Sequence, residues 1–183
     1  MVRRKIKKEN NLQNIYIDTF YIEAYLIGNK IGQSDTQKEA KDLFQKISKT
    51  ITNPNIKVVI PFIVLGELIN NINREISGDV NKNKIFFKFW KLINRLIKAD
   101  FSPPRGNFIP IAKRVMEKDD KIEPADLHIV AQALEDPNSS FLLTTDSKII
   151  ESYGIKSLEK EMRDSNERKQ KLQRKEAKDF LGV

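Results

Sequence analysis

Apolar residues in this chain follow two periods. Short continuous runs, Ile15-Tyr16-Ile17, Val58-Val59-Ile60 and Phe141-Leu142-Leu143-Thr144, have strand length and β-prone side chains. Between them, apolar positions recur at helical spacing. Residues 20–28 form a first helix ending near Gly28, and Ala40, Leu43, Phe44 and Ile47 mark a second, from Ser34 or Asp35 to about residue 50. Ile63, Leu65, Leu68, Ile69, Ile72 and Ile76 mark a third over 62–76. Residues 82–99 carry the clearest amphipathic pattern, with Phe86, Phe89, Trp90, Ile93 and Ile97 on one face. Pro103, Pro104 and Gly106 make 101–108 a loop or weak edge strand. Helices follow at 110–118, beginning at or just after Pro110, and at 124–135, with Pro124 at the first position. A short helix and a last strand near Ile155 complete the body.

Strands alternating with helices predict an α/β fold: a three-layer sandwich with a mainly parallel central sheet flanked by helices. Right-handed crossovers then bring the strand C-termini to one edge. The 183 residues suit one core, over 14–158. Residues 1–13 read as a flexible basic arm. Residues 159–183 are almost entirely charged and read as an exposed helix that frays or docks on a partner.

Composition removes several chemistries. The chain contains no cysteine, which excludes thiolate nucleophiles, disulfides and cysteine-based zinc sites. No segment approaches the roughly 18 consecutive apolar residues of a membrane span, and the basic N-terminus lacks a signal-type apolar run. The expectation is a cytoplasmic protein without membrane contact. Net charge is +8, of which residues 1–9 supply +4 and residues 159–183 supply +2. That balance favours a polyanionic partner, although basic ends are often merely solvated. Ser34, Ser102 and Ser147 have no nearby histidine. There is no phosphate-binding glycine loop. His128, the sole histidine, lies about 200° around its helix from Asp126 and suits a packing role.

Four acids stand out by position. Asp18 ends the first strand run and Asp146 follows the third. Glu67 interrupts the apolar segment IVLGELI, and Asp126 falls in the first turn of helix 124–135. Acids at the carboxyl ends of parallel strands lie where open α/β folds place their sites. Each also has a plain structural reading: Asp18 and Asp146 as N-caps, Glu67 as a solvated helix residue, Asp126 as an anion on the helix dipole. Glu123 reads as the cap of helix 124–135, with a supporting role at the acids as the alternative. Four converging carboxylates would repel one another, and a divalent cation relieves that. An all-oxygen set suits Mg2+ or Mn2+ rather than zinc.

The order and surroundings of these acids resemble the PIN-domain ribonucleases, including the VapC-like toxins. The matching segments are IYIDTF, IPFIVLGEL, DLHIVAQAL and LLTTD, spanning roughly Ile15 to Leu158. The resemblance implies that Asp18, Glu67, Asp126 and Asp146 form a catalytic Mg2+ or Mn2+ site, with Thr144 supporting it. It implies endonucleolytic hydrolysis of RNA leaving a 5′-phosphate and a 3′-hydroxyl, in a toxin or an RNA-processing enzyme. It also admits an antitoxin or a second copy as protein partner. One position departs: family members often carry a further acid two residues after the fourth, where this chain has Lys148. The competing reading is a non-catalytic RNA-binding or scaffold module. For RNA, Lys84, Lys88, Lys91, Arg95 and Lys98 form one stripe on helix 82–99, and Arg3, Arg4, Lys5, Lys7 and Lys8 lie in the arm. A solvated helix face is the alternative.

Overall fold

The computed structural model describes residues 12–30, 32–50, 52–96, 100–102 and 106–182. The basic residues of the arm, together with Ile97 and Lys98, lie outside them. Five strands, β1 (Gln13–Ile17), β2 (Ile56–Pro61), β3 (Asp100–Ser102), β4 (Ser139–Leu143) and β5 (Gln173–Lys175), form one sheet in the order β3-β2-β1-β4-β5. Every pairing is parallel. The chain steps outward from β1 through β2 to β3, then returns to the other side of β1 for β4 and β5. The switch point therefore lies between the carboxyl ends of β1 and β4, where such sheets open a crevice.

The helices are α1 (Thr19–Ile27), α2 (Ser34–Thr50), α3 (Phe62–Glu75), α4 (Asp79–Arg95), α5 (Phe108–Lys118), α6 (Pro124–Glu135), α7 (Ser147–Glu151), α8 (Tyr153–Asp164) and α9 (Ala177–Leu181). They flank the sheet as a three-layer sandwich, the architecture that the alternation predicts. Ile15, Tyr16, Ile17, Val58, Val59, Ile60, Leu142 and Leu143 are all buried. That is why the central strands read as continuous apolar runs. Residues Ile129 to Leu134 of α6 are buried without a break, so this half of the helix is covered on all sides. Among the described residues no helix is long and apolar enough to cross a membrane.

Three expectations are corrected. Ile155 belongs to a helix, not a strand: Ile155, Leu158 and Met162 of α8 are buried at i, i+3 and i+7, and the Ser152 hydroxyl caps the start by accepting from the Ile155 N–H at 3.0 Å. Helix α5 begins at Phe108, placing Pro110 third rather than first. A first-turn proline costs little there because its missing N–H has no partner within the helix.

The largest correction concerns residues 159–183. In place of a fraying helix, this segment ends α8, turns, adds β5 beside β4 and closes with α9. Arg168 is only 2% exposed and Leu172 and Ala177 are buried. The Ala177 N–H donates to the Tyr21 hydroxyl at 2.6 Å, and Lys46 Nζ caps the far end of α9 through the Phe180 and Leu181 carbonyls, each at 2.8 Å.

Candidate metal centre at the carboxyl edge

Asp18 leaves β1 at the switch point and occupies the N-cap position of α1, without a cap hydrogen bond from its side chain. It is 7% exposed. Burial pushes its carboxyl above the usual range, and the negative charge of Glu67 adds to this; the Thr144 hydroxyl and the nearby Thr19 and Phe20 N–H groups pull the other way. Thr144 is fully buried just past β4 and serves two acids at once. Its hydroxyl donates to Asp18 Oδ2 at 2.6 Å and accepts from the Asp146 N–H at 3.1 Å. Asp146 is the N-cap of α7, accepting from the Lys148 N–H at 2.7 Å.

Glu67 reaches the same edge from the second turn of α3, where its Oε2 accepts from the Thr19 hydroxyl. Helices α1 and α3 lie side by side in step, because one turn further along Asn71 Nδ2 donates to Glu23 Oε2 at 2.9 Å. Asp126 lies in the first turn of α6. Its carboxyl is pushed up to about 7, first by burial and then by the charges of Asp18, Asp146, Glu67 and Glu123. Four elements thus deliver acids that act on one another.

Glu123 sits at the N-cap position of α6 but makes no cap hydrogen bond. Its carboxylate instead accepts from Lys148 Nζ at 2.9 Å, so the capping role expected of it is replaced by an ion pair with α7. This pair is solvated, with the two side chains 48% and 68% exposed. Lys148 is a cation at this edge, its ammonium held above the ordinary range by Glu123 and, further off, by Asp146 and Asp126.

The donors are all oxygens of the type a hard divalent ion takes. As they stand, no three acidic or histidine side chains among the described residues are arranged to hold an ion. Asp18, Glu67 and Asp146 are each turned onto a neighbouring donor. The set therefore suits a hard divalent ion by donor chemistry and charge, while three of its carboxylates are engaged in internal hydrogen bonds.

The basic stripe on α4 divides. Lys84, Lys91 and Arg95 are exposed. Lys88 turns inward, donating to the Tyr25 and Leu26 carbonyls at 2.7 and 3.1 Å and lying over the Tyr25 ring. It caps the end of α1 remote from Asp18, about 12 Å away along that helix. His128 packs on Phe108, ring centroids 4.7 Å apart. Sequence reasoning missed Thr19, whose signal was a hydroxyl directly after the strand-terminal acid. It also missed Lys148 as the partner of Glu123, although Lys148 stood out as a departure.

No family model and no curated protein matches the sequence. Among solved structures, the chain is similar to one in the crystal structure of VapBC2 from Rickettsia felis bound to a DNA fragment from their promoter. The TM-score is 0.57 at 13% identity, over 89% of this chain and 98% of that chain. The similarity is one of fold.

Proposed function

We propose that this chain is a metal-dependent endoribonuclease, hydrolysing RNA phosphodiester bonds at a carboxylate-held Mg2+ or Mn2+ centre. The observation that carries the reading is the convergence of acids from four elements at one sheet edge, with Asp18 and Asp146 joined through Thr144, Glu67 held by Thr19, and Asp126 near enough that burial and these charges push its carboxyl up to about 7. Gathering like charges at the edge of a sheet costs stability unless a cation joins them. The fold shared with a VapBC2 chain supports the same reading.

Asp18 and Asp146 are the first ligands in this proposal, with Asp126 beside them and Glu67 ligating or orienting the attacking water. A divalent ion there supplies Lewis-acid charge for the phosphodiester and makes a bound water more acidic. Thr144 holds Asp18 and the Asp146 backbone at a fixed separation, which keeps the two strand ends in register for a shared ligand. Thr19 steers Glu67 toward the same edge. Lys84, Lys91 and Arg95 contribute phosphate attraction, and Lys88 is assigned to structure. The reading extends to a toxin or RNA-processing role, with a second copy or an antitoxin-type protein as partner. Phe87 and Trp90, exposed on α4, offer apolar area for one.

The alternative, an RNA-binding module without catalysis, draws on Lys148 and on the absence of a ready-made three-acid arrangement among the described residues. Two measurements separate them. Millimolar Mn2+ raises the melting temperature of wild type if the acids bind it, and RNA is cleaved only with added metal. Asp18→Asn and Asp146→Asn abolish both effects while the fold persists. Cleavage by both variants at the wild-type rate would sink the assignment. Metal-independent RNA binding without cleavage would favour the module.

A further inference from the structure

An open groove of about 530 Å3 adjoins the acidic edge, between the turn after α5 and the junction of α7 with α8. Lys148 belongs to both: it lines the groove and pairs with Glu123 at the acids. Tyr153, at the first position of α8, lines the groove and is 82% exposed, an unusual placement for a ring that the core does not use.

The wall is fixed. A side chain at Gly154 would meet the Lys118 carbonyl oxygen at 2.6 Å, so only glycine lets α8 approach this turn. The Ser152 hydroxyl donates to Asp119 Oδ2 at 2.5 Å and closes the contact. Lys118 is committed to Glu161 at 2.6 Å. Exposed Lys121, and Lys148 through its solvated pair with Glu123, are the cations of the groove, and exposed Asp120 and Glu151 its acceptors.

We propose that this groove is a nucleotide subsite adjoining the carboxylate edge, where a base of single-stranded RNA stacks on Tyr153 and the phosphate next to it is held by Lys148 and Lys121. An aromatic face beside paired cations is the arrangement that binds single strands. The solvated bond between Lys148 and Glu123 is weak enough to be exchanged for a phosphate. Asp120 and Glu151 accept from exocyclic amino groups, so the subsite favours bases that carry one over uracil. The choice of RNA as the polyanion rests on the nuclease reading.

The test uses the full chain in EDTA with an eight-nucleotide single-stranded RNA of mixed sequence containing 2-aminopurine. Wild type is expected to bind and quench the 2-aminopurine. Tyr153→Ala weakens binding by about tenfold and loses the quenching. Tyr153→Phe keeps both. Lys148→Met weakens binding and lowers the slope of log affinity against log salt by about 0.7, and Lys148→Arg restores it. Melting temperatures stay unchanged because both side chains are exposed. Wild-type quenching that persists in Tyr153→Ala, or no quenching by wild type, overturns the subsite. Mn2+-dependent cleavage is followed alongside. Cleavage with unaltered Tyr153→Ala binding removes the subsite and leaves the nuclease. Quenching that depends on Tyr153, with no cleavage by wild type, does the reverse.

Discussion

The two ends of one parallel sheet handle buried charge in opposite ways. At the amino edge Asp136, 1% exposed, accepts from Asn14 Nδ2 at 2.6 Å and from the Tyr16 hydroxyl at 3.1 Å. Arg168 spends its guanidinium on the Ala133, Leu134, Ser139 and Gln170 carbonyls and lies 3.9 Å from Glu159. Asn14 Oδ1 is the buried side-chain acceptor left over there. At the carboxyl edge acids face acids, and burial together with neighbouring negative charge pushes the Asp18 and Asp126 carboxyl groups upward. A network of complementary partners, satisfied but for one amide oxygen, stabilises one fold. A gathering of like charges stabilises little by itself and is useful only if a cation arrives, the usual trade of stability for function.

The contrast breaks hardest at Arg168. Arg168→Met leaves the Ala133, Leu134, Ser139 and Gln170 carbonyls without their buried donor, while Glu159 keeps Arg163 at 2.7 Å. The expected loss is about 3–5 kcal/mol of unfolding free energy, from several buried acceptors left unsatisfied at about 1–3 kcal/mol each at most, read by urea denaturation without metal. Arg168→Lys does not rescue it, since an ammonium cannot reproduce the planar fork. Mn2+ affinity of the protein that remains folded stays as in wild type. A loss below about 1 kcal/mol would mean that the amino edge is no more than a surface ion pair.

Thr144→Val sharpens the comparison from the other edge. It removes a donor to buried Asp18 and an acceptor for the Asp146 N–H, for an expected cost of about 2 kcal/mol. The Asp18 carboxyl rises further, because the hydroxyl that opposes its burial is gone. Mn2+ binding by calorimetry therefore weakens in Thr144→Val and is untouched in Arg168→Met. Equal Mn2+ affinities in the two variants would erase the distinction between the edges.

The two edges also differ in how far the sequence reveals them. Strand runs ending in Asp18 and Asp146, and Pro124 opening α6 ahead of Asp126, are local patterns, and they predict where the structure puts these residues. The amino-edge network is made by contacts between distant positions, 122 apart from Asn14 to Asp136 and 29 to 35 apart from Arg168 to the Ser139, Leu134 and Ala133 carbonyls, and leaves no periodicity to read. Strand β5 is hidden for another reason. Gln173-Arg174-Lys175 carries no apolar alternation, since an edge strand is held by its backbone. Arg174 anchors it by donating to the Ile149 and Ser152 carbonyls at 2.6 and 3.1 Å while its stem is half-buried. Charge alone made this segment resemble a solvated tail. Lys88 was misleading in the same way, because helical spacing places it on the basic stripe while its long stem reaches back to cap α1.

The smallest expected effect tests the repulsion itself. Asp126 titrates near 7 in the folded protein against an ordinary value of 3.8, so the folded state holds this proton more tightly than the unfolded chain. The resulting stabilisation is complete below about pH 4, drains away as pH climbs, and is gone once pH passes about 7. Asp126→Asn cannot lose a proton and escapes this loss. Metal-free Asp126→Asn and wild type should therefore melt together near pH 4, with the variant ahead at pH 8. Solvent around this half-exposed group screens the difference to under about 1 kcal/mol, or a few degrees in Tm. Mn2+ should close that gap in wild type alone, and more strongly as pH rises, because ligation requires the carboxylate. Parallel Tm profiles for the two proteins across this range would mean that Asp126 is not held against its neighbours. The carboxyl edge would then be as quiet as the amino edge.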